Sequence, residues 1–512
     1  MIMLRKTRII LAVAVFVLIT GLFLDFTGTL HVWFGFLAKI QFLPALLALN
    51  VAIVVVLLLL TLIFGRIYCS VICPLGIFQD LVSHVSSFRK KKRYRFSYSP
   101  AKSWLRYGLL ALFIVALIAG VGSFVALLAP YSAYGRIVSN LFAPIYTGVN
   151  NLMAMFAERI GSYAFYERDI WIRSLPTFII AAVTFVVIAV LAWRDGRTYC
   201  NTICPVGTVL SFFARFSWLK VRIDVDKCNK CSLCSRVCKA SCIDYKNHRV
   251  DYSRCVVCGN CIGNCHKEAI SYGRPDKEGK TSPTNEMAAS VSNSAMADSG
   301  STTDTSRRNF LFGLFAFTAT AAIAQEKKKV DGGLAVIEDK VAPDRNTPLT
   351  PPGSMSASNM ASHCTGCQLC VSVCPNDVLR PSGDIMRLMQ PTMSYERGYC
   401  RPECTKCSSV CPTGAIRPIT KEEKSSIQLG HAVWIRKNCI PVTDGVSCGN
   451  CARHCPSGAI SMVRMDKNDP HSLRIPAVNT SRCIGCGACE NLCPARPFSA
   501  IYVEGHEVHS VV

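Results

Sequence analysis

Cys364-Thr365-Gly366-Cys367-Gln368-Leu369-Cys370-Val371-Ser372-Val373-Cys374-Pro375 sets four thiols apart by two, two and three residues and closes on a proline. Thiolates at that spacing are placed to grip a cubane iron–sulfur cluster, three on one cube and the fourth on its neighbour. The pattern or a near variant recurs at Cys228, Cys231, Cys234 and Cys238; at Cys255, Cys258, Cys261 and Cys265; and at Cys400, Cys404, Cys407 and Cys411. It returns at Cys439, Cys448, Cys451 and Cys455, and at Cys483, Cys486, Cys489 and Cys493. Twenty-four of the 29 cysteines are therefore assigned as iron ligands of six [4Fe–4S] clusters. A disulfide framework needs no such regularity, and zinc sites need neither the terminal proline nor a crossed partner run.

The runs at 228–238 and 255–265 form a two-cluster ferredoxin pattern, so Cys228, Cys231, Cys234 and Cys265 are expected on one cluster and Cys255, Cys258, Cys261 and Cys238 on the other. Lys239 and His266 stand where the usual proline would be. Cys242 is read as a spare buried thiol in preference to a replacement for Cys238, and His266 as a neighbour rather than a ligand.

Composition separates this chemistry from a second region. Half of the 512 residues are hydrophobic and mean hydropathy is +0.30, with the apolar residues crowded into the first two hundred positions. Four stretches are long enough to be read as membrane spans: Arg8–Leu24, Pro44–Phe64, Leu105–Ala129 and Pro176–Trp193. The formal charge of +23 does not argue for nucleic acid, because much of it borders these stretches. Gly65 to Trp104 carries eight Lys or Arg against one acid, including Arg89, Lys90, Lys91, Lys92, Arg93 and Arg95. Pro130 to Leu175 carries four against three, so the first loop is expected inside and the second outside.

This region repeats itself. Gly65-Arg66-Ile67-Tyr68-Cys69-Ser70-Val71-Ile72-Cys73-Pro74-Leu75-Gly76 returns as Gly196-Arg197-Thr198-Tyr199-Cys200-Asn201-Thr202-Ile203-Cys204-Pro205-Val206-Gly207, identical at eight of twelve positions. Two related halves follow. On one helix, Cys69 with Cys73, and Cys200 with Cys204, would share a face. These four are candidate redox or metal-binding thiols, or else pack the helix ends, and Pro74 and Pro205 should end or bend each helix there.

The expected organisation is a membrane domain of four transmembrane helices over 1–222, a two-cluster ferredoxin domain over 223–272 and a disordered linker over 273–305. A twin-arginine (Tat) signal-like segment follows over 306–324, with Arg307, Arg308 and a terminal Ala322-Ile323-Ala324, then a tether over 325–360 and a four-cluster ferredoxin domain over 361–512. The fold class is thus an α-helical membrane domain plus α+β ferredoxin-like modules. A signal-like segment in mid-chain is simply explained by gene fusion. The alternative makes Phe310–Ala324 a membrane-surface helix and leaves both modules in the cytoplasm.

Residues 1 to about 272, with the two Cys-x-x-x-Cys-Pro motifs and the two-cluster module, resemble the NapH-type quinol dehydrogenase membrane protein. Residues 306–512, with the twin arginines, Pro351-Pro352-Gly353 and four Cys-Pro runs, resemble the NapG/MauM-type periplasmic ferredoxin. The resemblance implies a relay in a bacterial cytoplasmic (inner) membrane, with quinol or menaquinol from the quinone pool as substrate. It implies a periplasmic C-terminal domain and a periplasmic reductase or cytochrome as acceptor. By analogy with related four-cluster ferredoxins, Cys364, Cys367 and Cys370 should pair with Cys493, Cys374 with Cys483, Cys486 and Cys489, and the two middle runs with each other. Asp25, His31 and Lys39 could take a quinol's protons, solvated loop residues being the plainer reading. No haem attachment signature, flavin or NAD motif is present. The rival reading is an assembly or metal-handling factor whose membrane thiols hold copper or iron.

Overall fold

The computed structural model describes residues 2–88, 96–274 and 338–511. The run at 89–95, nearly all of the 273–305 linker, the twin-arginine segment and the tether up to 337 lie outside the described residues.

Only two of the four expected spans are single helices long and apolar enough to cross a bilayer, one within Ile2–Leu24 and the other Leu175–Asp195. The other two are broken. Phe42–Leu47 is separated from Val51–Phe64 by Leu49, which takes a left-handed φ of 52°, and by Asn50, whose side chain caps the new helix by accepting from Ile53 N at 3.3 Å. Ser103–Ile118 is separated from Gly122–Leu128 by Gly120 at φ 72°. A left-handed residue interrupts the i to i−4 ladder, so apolar runs that read as continuous in sequence fold as helices of 14 and 16 residues with short helical appendages. Their outer faces remain apolar: Ile10, Val17, Val55, Leu59, Val183 and Val187 are all exposed. Such a belt is suited to a non-aqueous surrounding.

The segment expected as an outer loop, 130–175, is instead largely helical. Pro130–Ile137 runs through a π-turn at Val138–Phe142 into Ala143–Arg159. Its first half is buried, with Tyr131, Tyr134, Arg136 and Val138 in the interior. It packs on Leu175–Asp195, on Pro74–Ser87 and, through the π-turn, on Ile2–Leu24.

Both cysteine-rich modules are α+β, built from two-stranded antiparallel sheets and single-turn helices. In the first, Lys220–Ile223 pairs with Ile270–Gly273 and Ile243–Asp244 with Arg249–Val250, closing the module at 220 rather than 223. In the last, Leu379–Pro381 pairs with Pro391–Met393, Ile460–Arg464 with Arg474–Val478, and Ile427–Trp434 with Ile501–Val511. The expected tether is part of this module from residue 338 on. Arg345 makes an ion pair with buried Glu490 at 2.6 Å, and Val341 N donates to Pro497 O at 3.0 Å.

The two modules contact opposite ends of the Ile2–Leu24 helix. Arg5 packs over Gly259 and Gly263 of the first. Just past the other end, Lys406 Nζ of the last module donates to Thr27 O at 3.0 Å. The 20 helical residues from Arg5 to Leu24 separate these contacts by about 30 Å. The last module is further held by Asn140 Nδ2 donating to Gln368 Oε1 at 2.8 Å and Ser123 Oγ donating to Ile385 O at 2.9 Å.

Candidate iron–sulfur sites

Each Cys-x-x-Cys-x-x-Cys loop curls around its thiols by using left-handed backbone at intervening residues. Lys230 (φ 55°) and Ser232 (φ 64°) do so in the first run, and Gly366 (φ 60°) and Gln368 (φ 66°) in the run at 364–374. Such residues turn successive N–H groups inward, towards negative charge. Backbone donors reach the sulfurs: Gly366 N to Cys364 Sγ at 3.4 Å, Ile416 N to Cys411 Sγ at 3.4 Å, Ala459 N to Cys455 Sγ at 3.3 Å and Ala500 N to Cys493 Sγ at 3.3 Å. Holding non-glycine residues at positive φ costs about 1 kcal/mol or more apiece, so something at the loop centre has to fix them. Burial pushes the Cys234 and Cys451 thiols up to about 11 and Cys367 up to about 12. The protein alone does not favour these thiolates, whereas iron would. These features fit [4Fe–4S] clusters.

Two cavities give the grouping directly. One is lined by Cys228, Cys231, Cys234 and Cys265, with Ile223, Tyr245 and Ile270, which is the crossed set expected from sequence. Cys261 stands correspondingly in the field of Cys258, Cys238 and Cys255. The other cavity is lined by Cys374, Cys400, Cys404 and Cys407, and this corrects the expected pairing of the four-run module. Run 364–374 pairs with run 400–411, since Cys370 stands with Cys364, Cys367 and Cys411. Run 439–455 pairs with run 483–493: Cys451 stands with Cys448, Cys439 and Cys493, and Cys486 with Cys483 and Cys455. Outer runs do not meet. Each pair of consecutive runs closes its own two-cluster unit, as in the first module.

Cys242, expected as a spare thiol, is buried with its Sγ 3.5 Å from Cys238 Sγ, so it belongs to the surroundings of the second cluster. His266 lines the first cavity beside Cys265. Asp25 is engaged structurally, accepting from Thr27 N, Gly28 N and Leu30 N at 2.9, 2.9 and 2.8 Å. His31 is half-buried near it, and Lys39 is exposed.

The two repeated motifs converge. Cys69, Cys73, Cys200 and Cys204 are all buried in one core; Cys73 stands in the electrostatic field of Cys200 and Cys69, and Cys204 in that of Cys200, Cys73 and Cys69. They are not two pairs on two helices. Cys69 and Cys200 lie on the short helices Tyr68–Val71 and Thr198–Thr202, while Cys73 and Cys204 cap the next helices, Pro74–Ser87 and Pro205–Ala214, whose first residue is the motif proline. The arginines cross between halves: Arg66 Nη2 donates to Cys200 O at 3.2 Å, and Arg197 Nη1 to Cys69 O at 2.6 Å. A Cβ on Gly76 would be driven into Cys69 O and lie 2.8 Å from Arg197 Nη1, and one on Gly207 would meet Cys200 O and lie 2.9 Å from Arg66 Nη2. That close approach accounts for glycine in both motifs. Sequence reasoning passed over Arg66 and Arg197, although each is identical between the two copies.

The family described as 4Fe-4S binding domain matches residues 46–94 and 175–225, and the one described as 4Fe-4S dicluster domain matches 363–427 and 446–496. The dicluster boundaries agree with the pairing of consecutive runs. An uncharacterized protein of Methanocaldococcus jannaschii is 26% identical over 225 residues, 43% of this chain and 67% of that protein. The methylamine utilization ferredoxin-type protein MauM of Methylobacillus flagellatus is 32% identical over 157 residues, 30% of this chain and 66% of that protein. The putative electron transport protein YccM of Escherichia coli is 24% identical over 199 residues, 38% of this chain and 47% of that protein. The chain thus spans about half to two thirds of the length of these relatives. No solved structure matches it. With its crossed thiol sets and these matches, the chain carries two 4Fe–4S ferredoxin-type regions and is homologous to proteins named for ferredoxin-type electron transfer.

Proposed function

We propose that the chain is a membrane-anchored electron-transfer protein that oxidises quinol and passes the electrons through six ferredoxin-module clusters to a reductase or cytochrome in the periplasm. The observation that carries this reading is the placement of the two ferredoxin modules at opposite ends of one apolar helix, with exposed apolar side chains between them. In a bilayer that arrangement puts one module on each side. The basic excess of 65–104 orients the first module inward, and the chain beyond residue 338 outward.

When bound, each cluster exchanges one electron, whereas a quinol releases two electrons and two protons, so a series of clusters both splits the pair and conducts it. The protein sets the order of potentials through donors on the sulfurs and through burial. Lys424 illustrates this: its buried ammonium bonds Arg401 O and Cys404 O beside Cys400.

The test is anaerobic reduction of the purified protein in nanodiscs. Menaquinol should bleach the iron–sulfur absorbance, and protease added to intact spheroplasts should cleave the C-terminal module. Reduction by dithionite but not by menaquinol would remove quinol from the scheme, and full protection of the C-terminal module would place both modules inside.

A further inference from the structure

We propose that Cys69, Cys73, Cys200 and Cys204 jointly hold one further [4Fe–4S] cluster, shared between the two repeat halves and set between the two ferredoxin modules. The ligand set is complete and enclosed. Four buried thiols converge in one core, two from each half, and the second of each pair caps a helix of ten or more residues. At that cap Gly207 N donates to Cys204 Sγ at 3.3 Å, and a helix N-terminus favours bound negative charge.

The surroundings ask for an anion. Arg66 is completely buried, forms no ion pair among the described residues, and leaves its Nε without a partner. Its Nη2 lies 3.7 Å from Cys69 Sγ, and Gln79 Nε2 donates to Cys200 Sγ at 3.2 Å. The oxygen acceptors of Arg66 are neutral, and a buried guanidinium is costly unless a negative group faces it. Four thiolates on a cubane carry a net charge of about −2, which supplies one. Arg197, the equivalent of Arg66, already has Asp80, while the position equivalent to Asp80 is Ser211. The asymmetry leaves Arg66, hydrogen-bonded to Asn201 Oδ1 at 2.8 Å and to backbone carbonyls, without a carboxylate partner among the described residues.

A single ion fits less well. Among the described residues no group of three or more His, Cys, Asp or Glu side chains is close enough to hold one, and the 24 ferredoxin cysteines are no exception. The segments matching a 4Fe-4S binding domain, 46–94 and 175–225, contain just these four cysteines.

The location gives the cluster a role, which rests on the relay proposed above, although its iron content does not. Arg66 Nη1 donates at 3.1 Å to Ser253 O, two residues before Cys255 of the first module. On the other side Tyr199 lies in the field of Cys200 and Cys204 and next to Arg136, and Arg136 lies in the field of Cys367 of the last module. One electron enters from one module and one leaves to the other, with no bond made or broken.

Iron and acid-labile sulfide are counted on the full chain, purified and reconstituted anaerobically, beside Cys69→Ser/Cys73→Ser/Cys200→Ser/Cys204→Ser. About 28 iron in the wild type and about 24 in the variant are expected, with loss of one component from the reduced EPR spectrum. About 24 iron in the wild type, or equal iron in both, overturns the proposal. Should the quadruple variant not fold, Gln79→Leu serves, because Leu210 occupies the equivalent position in the other half. It should keep the wild-type iron and lower one midpoint by a fivefold shift in its one-electron equilibrium, about 40 mV. An unchanged titration counts against the site. A protein with about 28 iron that menaquinol does not reduce sinks the relay and leaves this cluster standing.

Discussion

Replacing Asp80 by Asn tests how the repeat halves and the first module are locked together. Asp80 accepts from Arg197 Nε at 2.9 Å and Nη2 at 2.8 Å, and its oxygens lie 3.5 Å from Lys239 Nζ and 3.8 Å from Arg8 Nη1. One carboxylate thus joins the second motif, the first ferredoxin module and the N-terminal helix. Burial alone would raise its carboxyl, but Arg197, then Lys239 and Arg8, hold it well below the usual carboxylate range. Arg197 is completely buried, and removing the partner of such a charge costs about 3–5 kcal/mol. We take about 3 kcal/mol, because Asp80 itself is 15% exposed. The depressed value means that this stability is present above about pH 4 and is lost only as pH falls through the folded carboxyl's own value. The gap between wild type and variant should therefore be constant from pH 6 to 8. The assay is detergent unfolding in mixed micelles for Asp80→Asn, Arg197→Gln and the double variant. The double variant should recover about 2 kcal/mol relative to the sum of the singles, and additivity within about 0.5 kcal/mol would refute the lock.

Cys411→Ser should perturb the cluster held by Cys364, Cys367 and Cys370, and Cys374→Ser the one held by Cys400, Cys404 and Cys407; EPR of the reduced variants reads this, and a matching effect from Cys493→Ser on the first cluster would restore the outer pairing. Lys424→Met removes a buried positive charge beside Cys400 and should lower that cluster's midpoint by about 40 mV, equivalent to about 1 kcal/mol, in a redox titration. His509 contacts Thr350 at 3.0 Å, and burial, then His506, lowers its pKa to about 4. The unfolded chain therefore binds the proton first, and stability is lost as pH falls from about 6.5 towards 4. Amide protection factors along Ile501–Val511, each referred to the intrinsic exchange rate at that pH, should fall between pH 7 and 5, by up to about 2 kcal/mol in opening free energy, and His509→Gln should remove most of the change.

Cluster chemistry was legible in the chain because it is local. The spacing of Cys364, Cys367 and Cys370 places three thiols around one loop whatever the rest of the protein does, and the crossed partner of the 228–238 run lies in the very next run. The choice between Cys411 and Cys493 as fourth ligand was not legible: spacing shows that a fourth thiol goes elsewhere but not where, and only the packing of consecutive runs decides. Apolar composition likewise marked the membrane-like region, yet not the breaks at Leu49 and Gly120, because one left-handed residue interrupts a helix without changing hydropathy. The repeat announced two related halves. Only their closure on each other brings Cys69, Cys73, Cys200 and Cys204 together and sets Arg66 and Arg197 across the join, since contacts between residues 131 positions apart depend on how the helices pack and not on what stands beside each cysteine in the chain.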